Sequence, residues 1–271
     1  MFSQHTRRSA TGACVISYAL SMVRRSVFIT GASRGIGAAI ACEFAALGDR
    51  VAIHYGQSQE LAKEVLASLQ GPGHIAVRAD LRNAGEIKHA VDEAAQTFGG
   101  IDVLINNAGV FFAHPIETST YEAWQKAWSD TLGINLIGAA NVTWCAVQHM
   151  PRNGDSRVVN IGSRGAFRGE PKSPAYGASK AALSSFGQSI AQALAPLRIS
   201  VTTLAPGFVD TDMAAQLLNS PEGAGIRAQS PFNRVPTAQE VAKAVLFLAS
   251  PEAQWASGAI LDFNGASYLR M

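Results

Sequence analysis

The sequence predicts a single doubly wound α/β domain, a parallel sheet of about seven strands with helices on both faces. Two observations carry this. Seven short, near-continuous apolar runs recur along the chain, as strands buried on both faces require. Segments with apolar residues at helical spacing lie between them, and no long linker, internal repeat or low-complexity tract interrupts the alternation.

Residues 1–24 stand outside the pattern. Residues 13–23 are mostly apolar between Arg7/Arg8 and Arg24/Arg25, too short to cross a bilayer. A signal peptide leaves no room for a cleavage site before the first strand, near Ser26. We read 1–24 as a flexible extension or a start-site artefact, with translation beginning at Met22. Residues 1–21 hold Arg, Ser and Thr and no acid, so organelle import is the alternative to a cytoplasmic location. The domain then fills 25–271. Its strands are expected at 27–30, 50–54, 74–78, 101–106, 157–162, 199–204 and 260–263. Ile36, Ile40, Phe44 and Leu47 mark the first helix, with Gly48 at its C-terminal cap. A long helical region covers 119–150, another helix 174–195, and Val241, Val245 and Leu248 mark a third over 237–250. Residues 211–233, with Pro221, Gly223, Gly225 and Pro231, read as a lid whose apolar members face a partly apolar pocket. Phe111, Phe112 and Trp255 are candidates to add to that pocket.

Composition excludes several classes. At 48% hydrophobic and 15% charged residues the chain is neither disordered nor charge-dominated. The net charge is +2, and setting aside Arg7 and Arg8 leaves the body formally neutral, so no field for nucleic acid exists. Cys14, Cys42 and Cys145 follow no disulfide or metal-ligand spacing, which fits a reducing compartment. His114 and His149 have no partner at ligand spacing, so no metal site is read.

The run 27–30 leads directly into Gly31-Ala32-Ser33-Arg34-Gly35-Ile36-Gly37 and then a helix. A strand, a glycine-rich turn and a helix N-terminus together make a pyrophosphate cradle, since the backbone can approach closely and helix amides point at the anion. An acid at the end of the second strand is the usual partner of the adenosine ribose hydroxyls. Here that place reads His54-Tyr55-Gly56-Gln57-Ser58, and Arg34 stands ready for a 2′-phosphate, which favours NADP(H). Further along, Tyr176 and Lys180 are four residues apart in a helix and so share a face. A phenol near pKa ~10 needs a nearby ammonium to become a useful acid–base group at neutral pH. Ser163 follows a strand and lies 13 residues before Tyr176, at the edge where open α/β sheets form sites.

Four motifs in this order carry a resemblance: Thr30-Gly-Ala-Ser-Arg-Gly-Ile-Gly37, Asn106-Asn-Ala-Gly109, Tyr176-Gly-Ala-Ser-Lys180 and Pro206-Gly207. Over about residues 25–265 the chain resembles the short-chain dehydrogenase/reductase family. That resemblance implies a Rossmann fold and hydride transfer between a nicotinamide and a carbonyl or secondary alcohol. Ser163 would hold the substrate oxygen and Tyr176 would exchange its proton. Lys180 would hold the nicotinamide ribose and lower the tyrosine pKa, and Asn135 would place a water in a proton relay. The implied cofactor set is Gly31, Ser33, Arg34, Gly35, Ile36, Gly37, Tyr55, Asp80, Leu81, Asn107, Ala108, Gly109, Tyr176, Lys180, Pro206, Gly207, Val209 and Thr211. Asp80 would accept from the adenine amino group, or cap the helix that follows it.

Within the family the chain looks most like the 3-oxoacyl-acyl-carrier-protein reductases, through 205–213, 239–249 and 261–265. The substrate is then a small carbonyl compound or an acyl thioester. A sugar or other alcohol dehydrogenase is the alternative, and so is a nucleotide-binding regulatory protein with little turnover. Trp124, Trp128 and Trp144 fall in the region that resembles the family's dimer-forming helices, so a homotetramer or homodimer is expected. Arg164 departs from the family, standing where a small residue is commoner. With Arg168 and Lys172 it reads as a solvated loop, the alternative being a loop that attracts an anionic substrate.

Overall fold

The structure is a computed structural model and describes residues 24–270. The expected N-terminal extension therefore lies almost entirely outside the described residues, as does Cys14. Seven strands form one sheet, all pairs parallel, in the order β3-β2-β1-β4-β5-β6-β7. They are β1 (Ser26–Ile29), β2 (Arg50–Tyr55), β3 (Ile75–Arg78), β4 (Val103–Asn106), β5 (Arg157–Ile161), β6 (Ser200–Pro206) and β7 (Ile260–Phe263). Each falls within two residues of its expected bounds. β1, β4, β5 and β6 are buried along their whole length, which is why their sequences run apolar instead of alternating.

Helices cover both faces. α1 (Gly35–Ala46) follows the glycine turn, and α2 (Gln59–Ser68) and α3 (Ala84–Phe98) follow β2 and β3. Two apolar cores result, one on each face of the sheet. On one, Ile40 and Phe44 of α1 meet Val241 and Val245 of a late helix (Ala238–Leu248). On the other, Ile87, Val91 and Phe98 of α3 meet Val142 and Ala146. Leu47 is the exception to the α1 stripe: it sits at the C-cap and is 41% exposed.

The region 119–150 is one rod of α4 (Tyr121–Leu132), a π-helical turn (Gly133–Gly138) and α5 (Ala139–Val147). A π turn adds one residue to the helical circuit and commonly marks a functional position. Here it carries Asn135, wholly buried. A short helix, α6 (Gly165–Arg168), leads into α7 (Pro174–Leu194), which carries Tyr176 and Lys180. The expected lid folds as α8 (Asp212–Leu218) and α9 (Gly223–Ala228), with Leu218 and Ile226 buried and Phe232 exposed. The late helix is α10, and Thr237 and Glu240 close it with a reciprocal capping box.

Candidate active site

The sheet brings the predicted residues to one edge. Thr30, Asn107, Ser163 and Pro206 all stand at or just past the carboxyl ends of central strands, where β1 and β4 diverge to opposite sides. Hydrogen bonds knit this edge together. Thr30 Oγ1 accepts from the Asn107 and Ala108 amides at 2.9 and 3.0 Å. Asn107 Nδ2 donates to the Thr30 and Gly31 carbonyls at 2.9 and 3.0 Å, bracing the glycine turn from below.

The turn is tight for a stated reason. A Cβ on Gly37 would lie 2.4 Å from Gly31 O and 2.5 Å from Asn107 Nδ2, both held by the contacts just described. Gly37→Ala is therefore expected to cost roughly 1–3 kcal/mol of stability and to weaken nucleotide binding at least about tenfold. Urea denaturation and a binding titration check it, and an unaltered Kd would show that the turn does not hold the nucleotide.

The edge fits a dinucleotide. α1 begins with no side-chain cap and no acid in its first turn, so its leading amides remain available for a pyrophosphate. Arg34 is exposed at the N-cap, and the end of β2 carries no carboxylate. Thr211, at the start of the lid, lies across the turn with its methyl 3.6 Å from the place a Gly35 Cβ would occupy. Val209 and Leu81 are buried, and Tyr55 is half-buried. Gly207 packs on Asn264. Asp80 does not cap α3; Asn83 does, accepting from Gly85 and Glu86 amides at 2.9 and 3.2 Å. Asp80 instead pairs with Arg82 at 2.6 Å, whose hydrogen bonds hold its carboxyl below the usual range.

The reactive groups gather beside this edge. The Tyr176 phenol stands beside Ser163, which works against the rise in its pKa, and the Ser163 Oγ accepts from the Gly165 amide at 3.0 Å. Phe111 meets the Tyr176 ring edge-on at 5.0 Å. Lys180 Nζ is buried, donates to Ile161 O at 2.8 Å, and lies 5.9 Å from the tyrosine ring centre. A Cβ on Gly109 would come within 3.3 Å of that Nζ and 3.5 Å of Asn135 Oδ1, so Gly109 keeps the space in front of them clear.

Two expectations are adjusted here. With the protein's own groups, Tyr176 is pushed up by burial, with Glu170 adding to the rise, and the Ser163 hydrogen bond opposes it. Burial pulls Lys180 itself down to about 8. Asn135 spends its side chain on structure: it accepts from Val110 N at 2.8 Å and donates to Val110 O and Ser179 Oγ, each at 3.1 Å. It joins the segment after β4 to α7.

Arg164 is not solvated. It is 3% exposed, while Arg168 and Lys172 are exposed as expected. Trp255 lines no pocket, because it is 98% exposed beside the start of β7, at the far edge of the sheet. A cavity of about 350 Å³ at that same far edge, lined by Ser26, Arg50 and Asp102, holds none of this chemistry.

Sequence reasoning missed two histidines. His54 bridges the glycine turn to the end of β3: its Nδ1 accepts from Gly31 N at 3.1 Å and its Nε2 donates to Ala79 O at 3.0 Å. His114 Nε2 accepts from Ala175 N at 3.1 Å and Nδ1 donates to Phe112 O at 2.8 Å, so it satisfies an amide at the start of the helix bearing Tyr176. Among the described residues no group of three or more His, Cys, Asp or Glu forms a metal site.

Residues 31–265 match the family model described as Enoyl-(Acyl carrier protein) reductase. The chain belongs to the short-chain dehydrogenase/reductase family. It is 35% identical over 241 residues to an uncharacterized oxidoreductase of Methylorubrum extorquens, covering 88% of this chain and 95% of that one. It is 32% identical over 247 residues to the 3-oxoacyl-(acyl-carrier-protein) reductase FabG of Staphylococcus aureus, covering 90% and 98%. A short-chain dehydrogenase of Burkholderia cenocepacia solved in complex with NADP superposes with a TM-score of 0.81, 34% identity, and coverage of 90% and 97%. The seven-stranded doubly wound fold expected from the sequence is thus the family's fold, and the chain is an oxidoreductase by family. Among the described residues no helix is long and apolar enough to cross a membrane.

Proposed function

We propose that the protein is an NADP(H)-dependent carbonyl reductase or alcohol dehydrogenase whose catalytic residues are Ser163, Tyr176 and Lys180, with Asn135 as a positioning residue. The observation that carries this is the buried Lys180 ammonium, held by Ile161 O at 2.8 Å and 5.9 Å from the Tyr176 ring centre, beside Ser163 at the edge where the glycine turn opens. When bound, NADPH supplies the hydride. The chain does the rest. Ser163 donates to the carbonyl oxygen and fixes its direction. Tyr176 gives that oxygen its proton; a phenol pushed up by burial stays protonated at neutral pH, which is the form reduction requires. Lys180, held at Ile161 O, presents its ammonium to the nicotinamide ribose, and Asn135 holds the 110 segment against α7.

Arg34 beside an acid-free β2 end supports NADP(H) over NAD(H). Arg34→Ala is expected to raise the NADPH Kd about tenfold and leave the NADH Kd within about twofold, one charge-assisted contact being worth ~1.5 kcal/mol. Equal losses would remove the 2′-phosphate contact from the account. The likeness to FabG supports a 3-oxoacyl thioester among candidate substrates, and sugars and other secondary alcohols remain the rival. The intact set of four residues speaks against a regulatory protein with little turnover. We also assign a homotetramer or homodimer in the cytoplasm. Exposed Ile137 and Trp144 on the α4–α5 rod support the assembly, and the free Cys42 and Cys145 support a reducing compartment. The test is NADPH and NADH consumption over acetoacetyl thioesters, diketones, quinones and sugars. Turnover of none of them would leave only nucleotide binding.

A further inference from the structure

Arg164 follows Ser163 in the chain, and its amide donates to Pro206 O at 2.8 Å, so it is fixed beside the reactive residues. Its guanidinium is buried, against Phe208 at 5.1 Å. It donates to Ser267 Oγ at 2.5 Å and to Gln229 Oε1 at 2.6 Å. Arg168 donates to the same Gln229 oxygen at 3.1 Å. Two guanidinium groups thus converge on one neutral amide oxygen. Neither makes an ion pair among the described residues. The neighbouring acid, Glu170, forms no ion pair with either group; its Oε1 lies 2.6 Å from where a Gly165 Cβ would be, and its charge acts on both guanidinium groups from there without a hydrogen bond.

The shared oxygen sets Arg164 apart from Arg157, which is equally buried without an ion pair but spreads its donors over three backbone carbonyls. A buried cation is costly unless an anion or full hydrogen bonding compensates it. Hydrogen bonds to a charged acceptor are about twice as strong as those to a neutral one, and a carboxylate offers a second oxygen to a forked donor. Gln229 fills the position with a single uncharged oxygen. It also belongs to the segment expected as a lid, one residue past the end of α9.

We propose that Arg164 and Arg168 form a carboxylate-binding end of the substrate site, and that Gln229 holds the carboxylate's place until substrate enters. The compound interconverted is then an oxo acid and its hydroxy acid. The proposal requires a substrate carbonyl on Ser163 and Tyr176 to send its acid group toward Arg164, which its place after Ser163 and its amide on Pro206 O keep at this edge. The carboxylate takes no part in the chemistry: hydride reaches the carbonyl carbon, the Tyr176 proton reaches its oxygen, and the acid group only orients the molecule. This inference rests on the reductase reading above. It separates this chain from a reductase of acyl thioesters, whose group next to the carbonyl is uncharged.

The test uses matched pairs, 2-oxobutanoate and 4-oxopentanoate against their methyl esters. Two readouts are taken: calorimetric titration into the full chain with NADP⁺, and kcat/KM with NADPH. At least one acid should exceed its ester at least about tenfold in both readouts. Arg164→Gln should shrink that ratio to within about threefold. Gln229→Glu supplies the protein's own carboxylate and should lower acid affinity at least about tenfold more than ester affinity. It lies in the lid and so keeps the test open if the Arg164 variant does not fold. Acids and esters that bind alike, or not at all, would overturn the inference. So would equal losses for both in the two variants, which would make Arg164 only a lid fastener. Binding that prefers an acid, without turnover of any pair or of the wider carbonyl panel, would defeat the reductase reading and leave the carboxylate site standing. Turnover without acid preference would do the reverse.

Discussion

Tyr176→Phe is expected to lower kcat by about 10³-fold while leaving the NADPH Kd within about twofold. The ring will stay where it is. Phe111 packs on its edge, and α7 is anchored by Asn135 through Ser179 and by His114 through the Ala175 amide. The substitution removes one oxygen and leaves the shape. Lys180 does not depend on that oxygen, since its ammonium is held by Ile161 O. Nucleotide binding should therefore survive. The proton donor will not. Steady-state kinetics alongside fluorescence titration of NADPH separates the two, and a variant retaining more than about a tenth of wild-type kcat would remove Tyr176 from the mechanism.

The second large effect is on stability in acid. His54 is buried, with Nδ1 accepting and Nε2 donating, a pattern only the neutral ring can supply. Burial lowers its pKa from 6.5 to about 4. In the unfolded chain the ring takes up a proton near pH 6.5, whereas the folded protein refuses it until about 4. Between those values the unfolded state binds more protons, so stability falls as pH falls. Above pH 6.5 the group contributes no slope. By pH 4.5 the loss from this one residue reaches roughly 2–3 kcal/mol. His54→Gln will begin less stable at pH 7, having lost the bridge between Gly31 and Ala79, and will lose roughly 2–3 kcal/mol less on acidification. Urea midpoints at pH 7.0 and 4.5 check this. Parallel losses in the two proteins would mean that His54 is not the acid-labile group.

What the sequence made legible follows from how local each constraint is. The strands were readable because burial on both faces forces continuous apolar runs, and the glycine turn because its spacing is set by one strand, one turn and one helix. Tyr176 and Lys180 were readable because a single helical turn joins them. His54, His114 and Arg164 were not. Their roles depend on Gly31, Ala175 and Gln229, which lie 23, 61 and 65 residues away, and no periodicity reports such contacts. Arg164 shows the difficulty most plainly. Three basic residues in a short loop look solvated, and only the lid's Gln229 and the late Ser267 reveal that the first of them is buried. Asn135 was found by its motif, while its use by the backbone of Val110 became visible only with the π turn in place.

The central claim is hydride transfer to a carbonyl with the proton coming through Tyr176. Its most direct test is to incubate the protein with NADPH carrying deuterium at nicotinamide C4 and the best substrate of the carbonyl panel, then locate the label in the alcohol product by mass spectrometry and NMR. The account predicts deuterium on the carbinol carbon, from one face of the nicotinamide only, with formation slowed about 10³-fold in Tyr176→Phe. Product formed without the label, or at the same rate in that variant, would contradict it.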